Sequence, residues 1–193
     1  MDSYPSGSLL SAVLLVIFLI LLGALFVAAE IALISLRESQ VKQMALRGKR
    51  GARVAKLASN PNRLLAAAQV GVTFCGFLSA ALGAEKLGVH FIPWLVDRGI
   101  SEKSASTISL VTVTIVIAYV SLVLGELVPK RLALFRTEPI ALWSAPIVDV
   151  IANIFRPIIW LLSKSTDFVV RIFGIDPKEQ REQMSEEELL DLV

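Results

Sequence analysis

The chain has 193 residues, 55% of them hydrophobic, and its 19 Lys and Arg against 17 Asp and Glu leave a net charge of only +2. Mean hydropathy is +0.69, and the apolar residues come in long runs rather than at an amphipathic period. That leaves a soluble enzyme as the minor alternative to a membrane protein, since roughly 18 apolar residues in a row cross about 30 Å of hydrocarbon.

Residues 1–8 are polar and carry no Lys or Arg, and residues 9–36 are apolar except for Glu30. A cleaved leader fails here, because there is no positive start and the run exceeds the about 7–15 apolar residues of such a segment. The run is therefore a retained first span. Glu30 lies near its inner end, where snorkelling or an ion pair with Arg37 or a cation on a neighbouring helix gives it a structural role, favoured over a direct ligand role.

Residues 37–63 hold Arg37, Lys42, Arg47, Lys49, Arg50, Arg53, Lys56 and Arg63 against one acid, Glu38. With no aromatic residue and a span directly before it, this is not a nucleic-acid patch. The positive-inside rule makes it a cytoplasmic linker and places the N-terminus outside. Its interleaved apolar residues predict helices lying on an anionic leaflet, and Asn60-Pro61 predicts the start of the next helix.

Residues 64–84 predict a second span rich in small residues. Pairs four apart, Ala67/Gly71 and Gly76/Ala80 among them, let helices approach closely in lipid, which gives Gly71 and Gly76 structural roles. Gln69, Thr73 and Gly76 share one face, for interhelical hydrogen bonds or for a polar cavity. Residues 85–104 balance their charges and predict an exterior segment, with 89–96 as a short interfacial helix or turn anchored by Trp94. Cys75 is the one cysteine and His90 the one histidine. Neither has partners for a metal site, and no catalytic motif accompanies them, so the chain is read as no enzyme.

The third span is predicted from Ser104 through Val128, with Ser109, Thr112, Val116, Tyr119, Val123 and Glu126 on one face. Pro129 lacks an N–H and is expected to loosen the last turn, freeing carbonyls near Gly125 and Glu126. A carbonyl beside a carboxylate outlines a hard-oxygen cation site. In residues 138–173, Asp149, Asn153, Arg156, Lys164, Asp167 and Arg171 recur along one side, and Pro139, Pro146 and Pro157 punctuate the segment. They predict bent helices on the inner leaflet rather than a fourth span. Residues 176–193 are acidic, and Ser185-Glu186-Glu187-Glu188 predicts a helix start leading toward a cytoplasmic domain. The fold class expected is an all-α membrane protein with three spans per subunit, the N-terminus outside and the C-terminus cytoplasmic.

Five stretches taken together carry a resemblance: residues 29–36 (AEIALISL), the basic linker ending in Asn60-Pro61, residues 69–73 (QVGVT), residues 125–130 (GELVPK) and the Ser-Glu-Glu-Glu exit. In this order and spacing the chain resembles the CNNM/CorC family, specifically its DUF21 transmembrane domain, over nearly its whole length. The resemblance implies a homodimer in the bilayer of the plasma membrane, here a bacterial inner membrane, with juxtamembrane helices forming a belt. Residues 1–175 would be the transmembrane domain, and 176–193 the linker toward a CBS-pair domain that binds ATP in the family.

The resemblance further implies export of Mg²⁺, proposed in the family to be coupled to sodium influx, from an inward-open cavity between the spans. By motif, the family's carboxylate ligand carries over to Glu126 and its helix break to Pro129. Many magnesium-handling members have serines where this chain has Val27, Ala28 and Ala29, and an asparagine near Cys75-Gly76. Thr73, Gln69 and backbone carbonyls such as that of Gly125 are then the expected oxygen donors. A non-transporting dimeric scaffold and an exporter of organic cations such as polyamines are the alternatives on the same fold.

Overall fold

The structure is a computed structural model that describes residues 6–173. The described residues form helices and short connections: α1 (Ser6–Ile34), α2 (Glu38–Ala45), α3 (Lys49–Ala58), α4 (Pro61–Val96), α5 (Glu102–Val120), a π-helical segment (Ser121–Leu127), α6 (Val128–Phe135), α7 (Thr137–Ile154) and α8 (Arg156–Ile172). Three stretches are long and apolar enough to cross a membrane, Leu9–Ile34, Arg63–Val96 and Glu102–Phe135.

Local chemistry sets the boundaries. Gly48 and Gly99 take φ of +90° and +86°, a region that only glycine enters without cost, and so turn the chain between α2 and α3 and between α4 and α5. The Asn60 side chain accepts the Arg63 N–H at 3.2 Å with Pro61 in the first turn of α4, and the Ser101 hydroxyl accepts the Ser104 N–H at the start of α5. Both are side-chain caps on donors that the helix itself leaves unpaired.

Two sequence expectations about length are corrected. The separate interfacial helix over 89–96 does not exist; α4 runs unbroken to Val96. Pro93 falls in the last turn, where it removes one hydrogen bond without a following helix to disrupt. Trp94 stacks there on Phe91 at 5.0 Å and has the Arg98 guanidinium 3.5 Å from its ring centre. Nor does the third span stop at Val128. Helix continues through Pro129 to Phe135 because the π segment absorbs the proline one turn earlier.

α1 is the central element, packed on α4, the π segment, α6 and α7. Near the C-terminal end of α1 the core is made of Ala29, Ala32 and Leu33 with Met44, Val54, Leu57, Leu64, Ala133, Ala141, Ala145 and Val148. Five of these residues are alanines, and residues of six helices come close together there. α7 and α8 meet at a 77° bend.

The polar residues of α7 are not a free stripe. Asp149 accepts from Lys56 Nζ at 2.9 Å, Asn153 from Arg63 at 2.6 Å, and Glu138 from Gln40 at 3.0 Å. The sequence shows the spacing of Asp149 and Asn153; only the fold shows that α2, α3 and the start of α4 supply partners for these two and for Glu138.

Candidate functional site

A cavity of about 400 Å³ opens between α1, α4 and the third span. α4 contributes Gln69, Thr73 and Gly76, whose spacing puts them on one helix face. The third span contributes Gly125 and Glu126 from the π segment. Five of the eight residues singled out in the sequence thus line one space, while Gly71, Glu30 and Pro129 stand outside its lining.

The π segment explains how Glu126 comes to the cavity with oxygen beside it. Val128 N–H bonds back to the Val123 carbonyl, five residues away. The next residue, Pro129, has no N–H, so the next carbonyls in that register, those of Leu124 and Gly125, receive none from it. The expectation of a loosened helix end is therefore replaced by a widened turn inside a continuous helix, in which Pro129 removes one donor that would otherwise face Leu124 or Gly125. A π bulge also shifts helical phase, which moves the lining face. Thr114, Ala118, Ser121 and Gly125 line the cavity, at four- and three-residue spacing. The face read from the sequence, Ser109 to Glu126, is not continuous: Ser109 is buried and donates to the Gly88 carbonyl at 2.7 Å, Thr112 and Val116 border a second space against α4, and Tyr119 is exposed. Thr114 and Ser121 were missed because a straight 3.6-residue helix was assumed through residue 126.

Small residues do two different jobs. A Cβ at Gly71 would stand 2.6 Å from the Phe26 ring, so this glycine fixes the approach of α4 to α1. At Gly76 a Cβ would meet nothing within 4 Å. Its smallness leaves room in the cavity instead of closing a helix contact, which corrects the packing role read for it.

Polar contacts in the site are few. Gln69 Nε2 donates to Thr73 Oγ1 at 3.2 Å, and Ser79 Oγ donates to the Gly76 carbonyl at 2.9 Å. Lys130, one turn beyond Glu126, donates from Nζ to Glu126 Oε2 at 3.2 Å. Glu30 lies on α1, which packs against α6 and the π segment, so Lys130 and Glu126 of the third span are its charged neighbours, and it makes no ion pair among the described residues. The first span lines the cavity only with Leu19, Ile20 and Gly23. Among the described residues no group of three or more His, Cys, Asp and Glu is placed to hold a metal. A cation bound here would meet one carboxylate, hydroxyl, amide and backbone oxygens, and its own retained water, a donor set suited to a hard ion.

A bundle of three apolar helices around a carboxylate-bearing cavity defines a polytopic membrane domain. Residues 14–193 match the family described as Cyclin M transmembrane N-terminal domain (CNNM), and the chain belongs to that family. It is 39% identical over 176 residues to UPF0053 protein sll0260 of Synechocystis sp., covering 91% of this chain and 39% of that protein. It is 34% identical over 182 residues to UPF0053 protein YrkA of Bacillus subtilis, covering 93% and 42%. It is also 32% identical over 186 residues to the protein Rv1841c of Mycobacterium tuberculosis, covering 95% and 53%. The chain thus spans about two fifths to one half of the length of these relatives.

Proposed function

We propose that this domain carries divalent cations, Mg²⁺ foremost, across a bacterial inner membrane as part of a homodimeric exporter coupled to sodium influx. One observation carries the reading: Glu126, the Gly125 backbone, Thr73 and Gln69, from two spans packed on a third, line the same cavity. Glu126 supplies the charge, the π segment and Pro129 supply carbonyl oxygen, and the α4 hydroxyl and amide orient retained water. Mg²⁺ commonly keeps several waters and binds through one or two carboxylates, and the space of about 400 Å³ accommodates such a hydrated ion.

In this reading the basic helices α2 and α3 face the cytoplasm, following the positive-inside rule. α7 and α8 belong to a belt on the inner leaflet. The apolar faces of the second and third spans, which carry exposed Phe77 and Ile115, meet lipid or a second copy. In a protein as long as its relatives, of which this chain covers 39% in one case, a regulatory domain binding ATP would accompany this one.

The test is ion-dependent stabilisation. Mg²⁺ is expected to raise the unfolding temperature of the purified protein, and Glu126→Gln to remove that rise while leaving the protein folded. Equal protection of parent and variant would show that Glu126 does not hold the ion.

A further inference from the structure

Glu126 is not an open carboxylate. Lys130 stands one helical turn away with its ammonium on Oε2, and both side chains keep access to solvent, at 44% and 42% of their surface. A metal cation taking that carboxylate has to meet or displace a positive charge already there, and two cations on one carboxylate repel strongly at contact distance. The displaced ammonium needs a second anionic partner, because a free charge at the edge of a span is costly.

Glu30 meets that need. α1 packs against α6, and Ala29, which precedes Glu30, shares a buried cluster with Ala133, three residues beyond Lys130. Glu30 interacts electrostatically with Lys130 and with Glu126. Among the described residues Glu30 makes no ion pair, whereas Lys130 is paired with Glu126 alone. Two carboxylates on these packed helices thus offer the one ammonium two anionic partners.

We propose that Lys130 is an internal counter-ion that exchanges partners, resting on Glu126 in the absence of metal and passing to Glu30 when a divalent cation takes the Glu126 carboxylate. This rests on the transport reading above and adds a device to it. The ammonium keeps the carboxylate neutralised between ions, and Glu30 receives it during loading. Lys130 is a positioning residue, not a ligand. The exchange lowers affinity for the ion, which favours release, and it prevents the lone carboxylate from being left unpaired at the membrane edge.

Two measurements on the full chain in lipid nanodiscs test it, with Mg²⁺ as the probe. Lys130→Gln is expected to tighten Mg²⁺ binding by roughly three- to tenfold, the scale of a partly exposed ion pair near a bound charge, while Lys130→Arg stays within about twofold of the parent, as the same charge competes. In the unmutated protein, zero-length carbodiimide cross-linking followed by peptide mapping is expected to join Lys130 to Glu126 without Mg²⁺ and to Glu30 at saturating Mg²⁺. Mg²⁺ binding that Lys130→Gln leaves unchanged or weakens, or a cross-link that stays on Glu126 at saturation, would overturn the exchange and leave the transport reading standing. If Lys130→Gln does not fold, the cross-linking result decides alone. Absence of Mg²⁺ binding in the parent would overturn both.

Discussion

At single residues the glycines separate packing from function. Gly71→Ala drives a methyl into the Phe26 ring, and overpacking of this kind costs about 1–3 kcal/mol, read as a lower unfolding temperature in detergent. Gly76→Ala faces open space and gains helix propensity of roughly 0.5–1 kcal/mol, so it is expected to be as stable as the parent or more so. Its methyl occupies cavity volume, and the expected loss is in Mg²⁺ response. Opposite outcomes for the two variants would mean that Gly76, not Gly71, is the close contact. Both glycines are equally legible as small residues in the sequence. What separates them is which one faces Phe26, and that depends on the rotation of α4 about its axis.

At the level of elements, the third span is where sequence reasoning reached the chemistry but not the geometry. Pro129 after Glu126 signals a disturbed hydrogen-bond ladder, and that signal is sound. A π segment and a broken helix both satisfy it locally, and packing against α1 through Ile20 and Gly125 is part of what the sequence does not display. Pro129→Ala restores an N–H and removes the reason for the widened turn. The helix is expected to remain, with unchanged helical content by circular dichroism, while the change of phase carries Ser121 and Thr114 off the cavity and weakens Mg²⁺ stabilisation. Full Mg²⁺ stabilisation in this variant would show that the π segment is dispensable for the site.

The α3 to α7 contact offers a second test at this scale. Asp149 keeps only 12% of its side-chain surface exposed and has Lys56 at 2.9 Å, itself 55% exposed. Lys56→Met strands a mostly buried carboxylate, with a cost of roughly 1–2 kcal/mol, below that of a fully buried pair because water still reaches the lysine. Asp149→Asn in the same background is expected to recover most of that loss in unfolding temperature, since no charge is then left alone. The helical spacing of Asp149 and Asn153 is visible in the sequence. Their partners lie 90 or more residues away, and a single sequence carries no record of that pairing.

At the scale of the whole molecule, hydropathy located three spans, because the bilayer demands long apolar helices whatever their packing. Span lengths were less legible, since α4 and the third span each run on past the residues that hydrophobicity alone requires. The cavity was legible in part: Gln69, Thr73 and Glu126 are polar residues in apolar runs, and such residues mark sites by their cost. Thr114, Ser121 and the engagement of Glu126 by Lys130 needed the fold. A lysine after a proline at a span end otherwise reads as a topological signal and nothing more.

The central claim is that the cavity around Glu126 is a route for divalent cations, and flux into proteoliposomes tests it most directly. With the purified protein reconstituted and an Mg²⁺ gradient imposed, the parent is expected to move Mg²⁺ and Glu126→Gln to move it at less than about a tenth of that rate, the scale of losing about 1.4 kcal/mol or more of charge stabilisation. Folded parent protein that moves no Mg²⁺ would contradict the claim, with polyamine flux in the same vesicles then marking an organic-cation exporter and the absence of both fluxes marking a scaffold.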